Sequence, residues 1–562
     1  MKQFHTRMAA LVLAFAVLCS LALCAAPTAA AEGNAPKYVF LFIGDGMTYS
    51  QFQLASAFQG ANADTNDDGI LDGDVALNFM QFDSVGNATT YDSSSFCPDS
   101  ASTATSIASG FKTYSGVINM DETKTVPFTT IAEQLRDNTD MKIGVISSVN
   151  LNHATPAAFY AHQASRSSYY EIGEELIASD FDYFAGGGLL KPTGKNGDQT
   201  DLYELAAQAG YKVVRTQAEA EQVSADDGKV LIVTENLADS DSLDYEIDRK
   251  DDVWALSDYV AKGIEVLDNE NGFFMMCEGG KIDWACHAND AGTVVNDVLS
   301  MADAVQVAVD FAQAHPDETL IVVTGDHETG GLTIGFAGTD YNTYLDNLNN
   351  QKISYAKYDA DYVASYKENN TPFADAMKDV EELFGLVLPE DADQAAENTL
   401  VLTDYEVEQL KTAYDMTFTG YALDEEGKQA QTQDEYVTYG TYTPFSVTVT
   451  HLLNKTSPAS TSAPMPTPVC PPRSSPRASA RKPSPVPMTI PTSTTSSAIC
   501  WAWKTWPVND SLLLLPQLSK EGCGIFGELD GSGAERTILP PARQSLEKLF
   551  PGCGVKPISI LP

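Results

Sequence analysis

The chain reads as an α/β protein: a central, mostly parallel sheet flanked by helices, with a surface insertion and a C-terminal tail that carries no fold of its own. Short apolar runs alternate with longer amphipathic stretches through the first 454 residues. Three of those runs end in carboxylates or imidazoles, and ligands bind outside the carboxyl ends of strands in open α/β sheets. A hydrophobic content of 43% in 562 residues is enough for a large core.

The elements follow in order. Lys2 and Arg7, the apolar run from Met8 to Cys24, and Ala29-Ala30-Ala31 read as an export signal over residues 1–31, cleaved before Glu32. A retained anchor is the alternative, because the run approaches a short membrane span. Cleavage would place the mature chain in the periplasm or outside the cell, with no later segment able to span a membrane. Tyr38 to Ile43, Ile143 to Ser147, Phe273 to Cys277 and Leu320 to Thr324 read as buried strands. A helix follows His287, with Val294, Val295, Val298, Met301, Ala302, Val305, Ala308 and Val309 on its apolar side. Residues 339–440 are rich in Tyr, Asp and Asn and read as an insertion packed on the sheet, with one helix near Asp404 to Tyr414.

Composition changes near residue 455. The whole chain has 77 acidic and 34 basic side chains, a net charge of −43, which excludes a general binder of nucleic acids or anionic membranes. From Lys455 onward there are 11 Lys/Arg, 6 Asp/Glu and 18 of the 28 prolines. The body is therefore 32–454 and the Pro/Ser/Arg-rich tail 455–562. Nine scattered cysteines make no disulfide framework. Cys277 and Cys286 are open to either a bridge or two free thiols.

Candidate chemistry sits at the strand ends. Tyr38 to Ile43 runs into Gly44-Asp45-Gly46, Leu320 to Thr324 into Gly325-Asp326-His327, and Phe273 to Cys277 into Glu278, then Asp283 and His287. Asp283 and His287, four apart, could face one ion, Asp326 and His327 a second, with Asp45 bridging; carboxylate with imidazole suits zinc and oxygen alone suits magnesium. For any single pair the ordinary reading is a capping carboxylate or a solvated histidine. Several clusters, each behind a strand, favour metal. Ser100, in Cys97-Pro98-Asp99-Ser100-Ala101-Ser102, opens a small-residue helix whose N-terminus favours an anion, although an N-cap serine is the ordinary alternative. Arg166 is a fork-shaped donor suited to phosphate.

These segments together resemble the alkaline phosphatase family: IGDGM (43–47), DSASTATSIASGFKTYSG (99–116), NHATPAAFYAHQASR (152–166), CEGGKIDWACH (277–287) and TGDHETGG (324–331). The resemblance covers about residues 37–335 and implies a phosphomonoesterase with two zinc ions and one magnesium ion. On it, Ser100 matches the nucleophile that becomes phosphoserine and Arg166 the phosphate clamp. Asp45, Asp326 and His327 match second-zinc ligands, Asp283 and His287 first-zinc ligands, and Asp45, Thr155 and Glu278 magnesium ligands. His153 and Trp284 stand where some bacterial members carry Asp and Lys near the third metal. The family often dimerises, so a homodimer is a further implication, and small phosphate monoesters are the implied substrates. Separately, Asp64, Asn66, Asp68 and Asp72 fit a calcium loop whose twelfth position is Val75 rather than Glu; an acidic, solvated turn reads equally well.

One family ligand is missing. Members carry a third first-zinc histidine in a His-Thr-Gly context, after a lead-in present here as Thr443 to Asn454; no histidine follows His451. Read one base out of frame from Pro458, the codons can spell Asp-Ala-His-Thr-Gly-Val-Pro before Cys470. The alanine is forced by Met465 and Pro466, and an aspartate further on is forced by Met488 and Thr489. The tail is therefore expected to be out-of-frame translation, with a real Pro-rich linker and terminal module as the competing reading. The functional alternatives are a metal- or phosphate-binding remnant with little turnover, and a relative acting on diesters or sulfate esters.

Overall fold

A computed structural model describes residues 35–63, 76–335, 343–394, 400–423, 429–456 and 459–461, all within one compact unit. The expected signal segment, the 64–75 loop and residues 462–562 lie outside the described residues.

Seven strands form one sheet: β1 (Tyr38–Gly44), β2 (Lys142–Ser147), β3 (Tyr183–Gly186), β4 (Lys212–Val214), β5 (Val230–Ile232), β6 (Phe273–Gly279) and β7 (Thr319–Gly325). Their order is β4-β5-β3-β2-β6-β1-β7, and every pairing is parallel. Burial on both faces explains the continuous apolar runs of β1 and β6. Side chains alternate along β1: Tyr38, Phe40 and Phe42 enter one core, while Val39, Leu41 and Ile43 face the other. Burying each such aromatic stabilises by roughly 1.5–3 kcal/mol.

Four helices matter for the site: α1 (Ser100–Ser109), α2 (Lys281–His287), α3 (Ala291–Ala314) and α4 (Pro444–Thr456). Helix α3 buries Val294, Val295, Val298, Met301 and Val305 in the first core, as its 3.6-residue periodicity predicts. Ala101, Ala104 and Ala108 of α1 pack in the second, where small side chains let the helix approach the sheet closely.

Two features add to the expected outline. The 339–440 insertion has more than one helix: Phe373–Phe384, Asp404–Thr419 and Gln433–Tyr439 are among its elements. Phe373–Phe384 is amphipathic and turns Met377, Val380 and Phe384 into the main core, where Leu410 and Tyr414 of Asp404–Thr419 join them. Within the tail, Ala459–Thr461 forms β9, antiparallel to β8 (Leu332–Ile334). An edge strand pairs through its backbone and asks little of the partner's side chains.

Candidate active site

Register assembles the site. Gly44 of β1 pairs with Gly279 on one side and Gly325 on the other, so Asp45, Glu278 and Asp326 emerge side by side at one sheet edge. The turns there require glycine. A Cβ on Gly325 would lie 1.7 Å from the Met47 carbonyl oxygen, and one on Gly46, whose φ is +64°, would lie 2.8 Å from Asp283 Oδ1. Gly46 N in turn donates to Asp326 Oδ1 at 2.9 Å, tying β1 to β7 at the site.

Ser100 is the first residue of α1, and Asp99, not Ser100, is its N-cap. Asp99 Oδ1 accepts from Ser102 N at 3.2 Å and Gly116 N at 2.9 Å, while its Oδ2 takes Arg166 Nη1 at 2.9 Å. One carboxylate thus starts the serine helix and holds the arginine. Burial raises the Asp99 pKa, but the Arg166 charge and these N–H donors outweigh it and hold the carboxyl below its ordinary value. Ser100 Oγ lies 3.1 Å from Asp45 Oδ1 and 3.2 Å from His327 Nε2. Arg166 Nη2 is 3.0 Å from His153 Nε2.

His327 is oriented from behind. Its Nδ1 is 3.0 Å from the Glu328 carbonyl oxygen and 3.1 Å from Thr329 Oγ1, whose own proton goes to Asp283 Oδ1 at 2.6 Å. Two acceptors at Nδ1 keep the proton there in the neutral ring, leaving the Nε2 lone pair 3.2 Å from Asp45 Oδ1 and 3.4 Å from Asp326 Oδ2. Thr103 Oγ1 donates to Asp326 Oδ2 at 2.9 Å.

These donors fit metal ions. Asp45, Asp326 and His327 have ligand atoms within 4.8 Å of one another, as do Asp45, His153 and Glu278, and all five side chains are buried. Burial and then the nearby Asp45 charge push Asp326 up to about 7 and Glu278 well above the usual carboxylate range. Glu278 Oε2 accepts from Ser147, but Oε1 and His153 Nδ1 are buried with no hydrogen-bond partner. Like charges and orphaned polar atoms packed this closely are what a divalent cation compensates. Thr155 Oγ1 is 3.4 Å from Asp45 Oδ2, beside the second cluster.

Asp283 and His287 lie on α2, with Asp283 Oδ2 3.3 Å from His287 Nε2. Burial raises the Asp283 pKa, but the His287 contacts outweigh it and bring it far below the ordinary value. Trp284, between them in sequence, meets the His153 ring edge-on at 5.8 Å. A cleft of about 750 Å³ is lined by Ser100, Arg166, His153, Asp283, Trp284 and His287 among others.

The structure thus brings together every expected site residue it describes; the Asp64, Asn66, Asp68 and Asp72 loop lies outside the described residues. Sequence reasoning overlooked Asp99 as cap and arginine partner, although Asp three residues before Ser102 is a cap signature. It also overlooked Thr329 and Thr103, which carry no motif of their own, and the cleft residues Asp239, Tyr355 and Tyr442. Cys277 and Cys286 are both buried free thiols in the structure, each pushed up by burial.

Fold and site together define an open parallel α/β protein with a serine-centred cleft walled by carboxylates and imidazoles. The alkaline phosphatase family model matches residues 36–384. Alkaline phosphatase 3 of Bacillus subtilis is 31% identical over 386 residues, covering 65% of this chain and 77% of that protein. Alkaline phosphatase 4 of the same organism is 30% identical over 286 residues, covering 50% of this chain; the match spans only 58% of that relative's length. A crystal structure of a cold-active alkaline phosphatase from a psychrophilic Shewanella shares 28% identity, with a TM-score of 0.59, covering 76% of this chain and 90% of that one. The chain belongs to the alkaline phosphatase family.

Proposed function

We propose that this chain is an exported, metal-dependent phosphomonoesterase that works through a phosphoserine on Ser100. The observation that carries the reading is Ser100 Oγ at a helix N-terminus, within 3.1 and 3.2 Å of Asp45 and His327, in a cleft also lined by Arg166. Zinc held by Asp45, Asp326 and His327, and by Asp283 and His287, with magnesium held by Asp45, Thr155 and Glu278, would supply positive charge where oxygens gain negative charge.

The residues then divide the work. Arg166, fixed by Asp99, offers N–H donors to the non-bridging phosphoryl oxygens, whose charge grows in the transition state. The backbone N–H groups at the start of α1 add to that field. Ser100 Oγ loses its proton to solvent and forms a bond to phosphorus while the ester P–O bond breaks, and the alcohol leaves with a proton taken from solvent. Water then attacks the phosphoserine, the P–Oγ bond breaks, and phosphate leaves as Ser100 regains a proton.

A remnant with little turnover is the second reading, favoured by the absence of any histidine after His451. A base gained or lost between about Asn454 and Pro458 accounts for that absence and for the composition of the tail. Helix α4 ends near the candidate site: Asn454 Oδ1 accepts from Ala291 N at 3.2 Å, and Ala291 follows His287 by four positions in the chain. Hydrolysis of an aryl phosphate with added zinc and magnesium, against a Ser100→Ala control, tests the enzyme reading. Activity lost in the control supports it. Equal rates for both chains would sink it, and faster cleavage of a diester or sulfate ester would move it to another substrate class.

A further inference from the structure

Two groups of residues can be distinguished in the lining of the cleft. One would face the phosphoryl group: Ser100, Arg166 and His153, with Asp99 holding the arginine. The other comprises Asp239, Ser240, Tyr355 and Tyr442. The Trp284 ring centroid is 5.8 Å from that of His153 and 4.9 Å from Lys281 Nζ, the partner of Asp239. We propose that the second group is a leaving-group subsite for a neutral, polyhydroxylated group with an apolar face, a sugar, and that it discriminates against leaving groups bearing a second anion. The inference rests on the phosphomonoesterase reading.

Size comes first. A cleft of about 750 Å³ exceeds what a phosphoryl group fills and falls in the range that encloses a small organic ligand. Its second group is amphipathic. Tyr355 packs edge-on against Tyr442 at 5.4 Å and against Tyr245 at 5.9 Å, so the aromatic wall is braced from behind. Tyr245 donates to Tyr355 Oη at 3.2 Å, which leaves the Tyr355 proton for a ligand acceptor.

Charge decides between ligand classes. Asp239 is about half exposed, and its Oδ1 takes Lys281 Nζ at 3.1 Å. Lys281 is fully buried, also donates to Ser242 Oγ at 2.9 Å, and stands 3.6 Å from the Tyr245 ring centroid. A cation that no ligand can reach therefore balances the carboxylate. That argues against selection of a cationic leaving group, and it leaves the second Asp239 oxygen as an acceptor for hydroxyls. Among the described lining residues Arg166 is the only Lys or Arg, and the phosphoryl group engages it, so beyond any metal held at the phosphoryl end a second phosphate would meet no Lys or Arg beside Asp239, Ser240, Tyr355 and Tyr442. Ser240 and Asp241 both hold positive φ, 54° and 58°, and the Asp241 carbonyl accepts from Gly188 N, which fixes the turn that presents Asp239.

The test is binding to the Ser100→Ala chain by calorimetry, with zinc and magnesium present and no turnover. Hexose 6-phosphate is expected to bind about tenfold tighter than ethyl phosphate, the worth of one or two good hydrogen bonds, and about tenfold tighter than hexose 1,6-bisphosphate. Asp239→Asn, which keeps an acceptor for Lys281, should bring the hexose-to-ethyl ratio to within about twofold, and Tyr355→Phe should lower it. Equal binding of the hexose and ethyl esters, or a ratio unchanged in both variants, overturns the subsite. If that happens while the unaltered chain hydrolyses an aryl phosphate, the phosphatase reading stands alone; preference without any hydrolysis overturns the phosphatase reading instead.

Discussion

Arg166 reaches Asp99 with one nitrogen and His153 with another, so the protein fixes its direction before any phosphate arrives. Burial lowers its pKa, but Asp99 outweighs burial and raises it, so the guanidinium stays charged. Truncating it removes donors aimed at transition-state charge, an effect of about 10²-fold or more. Arg166→Ala is therefore expected to lower kcat/KM for an aryl phosphate by about 10²-fold, with Arg166→Lys between the two because a point charge cannot reproduce the fork. Steady-state kinetics of the three chains checks this, and an unchanged kcat/KM would remove Arg166 from the site. The donor types at Ser100, Asp45, Asp326 and His327 were legible because each follows a strand or opens a helix. Asp239, Tyr355 and Tyr442 were not, because only the folded chain brings those three distant segments to one cleft.

The loop carrying Arg166 is clamped four residues earlier. His162 lies 3.3 Å from Glu133, on the helix Ile131–Asn138, and 3.6 Å from Glu175, on the helix Tyr169–Ala178. Burial lowers its pKa, but the two glutamates outweigh that and raise it to about 10. A folded pKa above the unfolded value near 6.5 stabilises the fold fully below 6.5. That contribution fades as pH rises through about 10. Urea midpoints measured across this window should fall with pH, and His162→Gln should flatten the fall by about 2 kcal/mol, the scale of charge-assisted hydrogen bonds. A parallel slope in the variant would show the clamp to be idle. Element length explains what sequence revealed: β1 and β6, seven residues each, stand out as apolar runs, whereas β4 and β5 have three residues apiece. Of the insertion's helices Asp404–Thr419 was legible, whereas Phe373–Phe384 was missed although Ala376, Met377, Val380 and Phe384 repeat at helical spacing.

Across the molecule, the two sets of zinc-type donors are unequal. Asp45, Asp326 and His327 supply three buried side chains, while Asp283 and His287 supply two on α2. Zinc titration of the apo chain should show one tight and one weak site, and two equally tight sites would contradict a missing third ligand. A chain with the reading frame restored past Asn454 should tighten the weak site. The fold class was legible because the parallel sheet writes itself as spaced apolar runs. That no histidine follows His451 is legible in the sequence, and the lead-in from Thr443 to Asn454 is what makes that absence bear on the proposed zinc site. The measurement that bears most directly on the account is mass spectrometry of the chain quenched in acid during incubation with a phosphate monoester, zinc and magnesium. The account predicts one phosphoryl group on the peptide containing Ser100 and none in Ser100→Ala; hydrolysis with no phosphate on Ser100, or with phosphate on another residue, would contradict it.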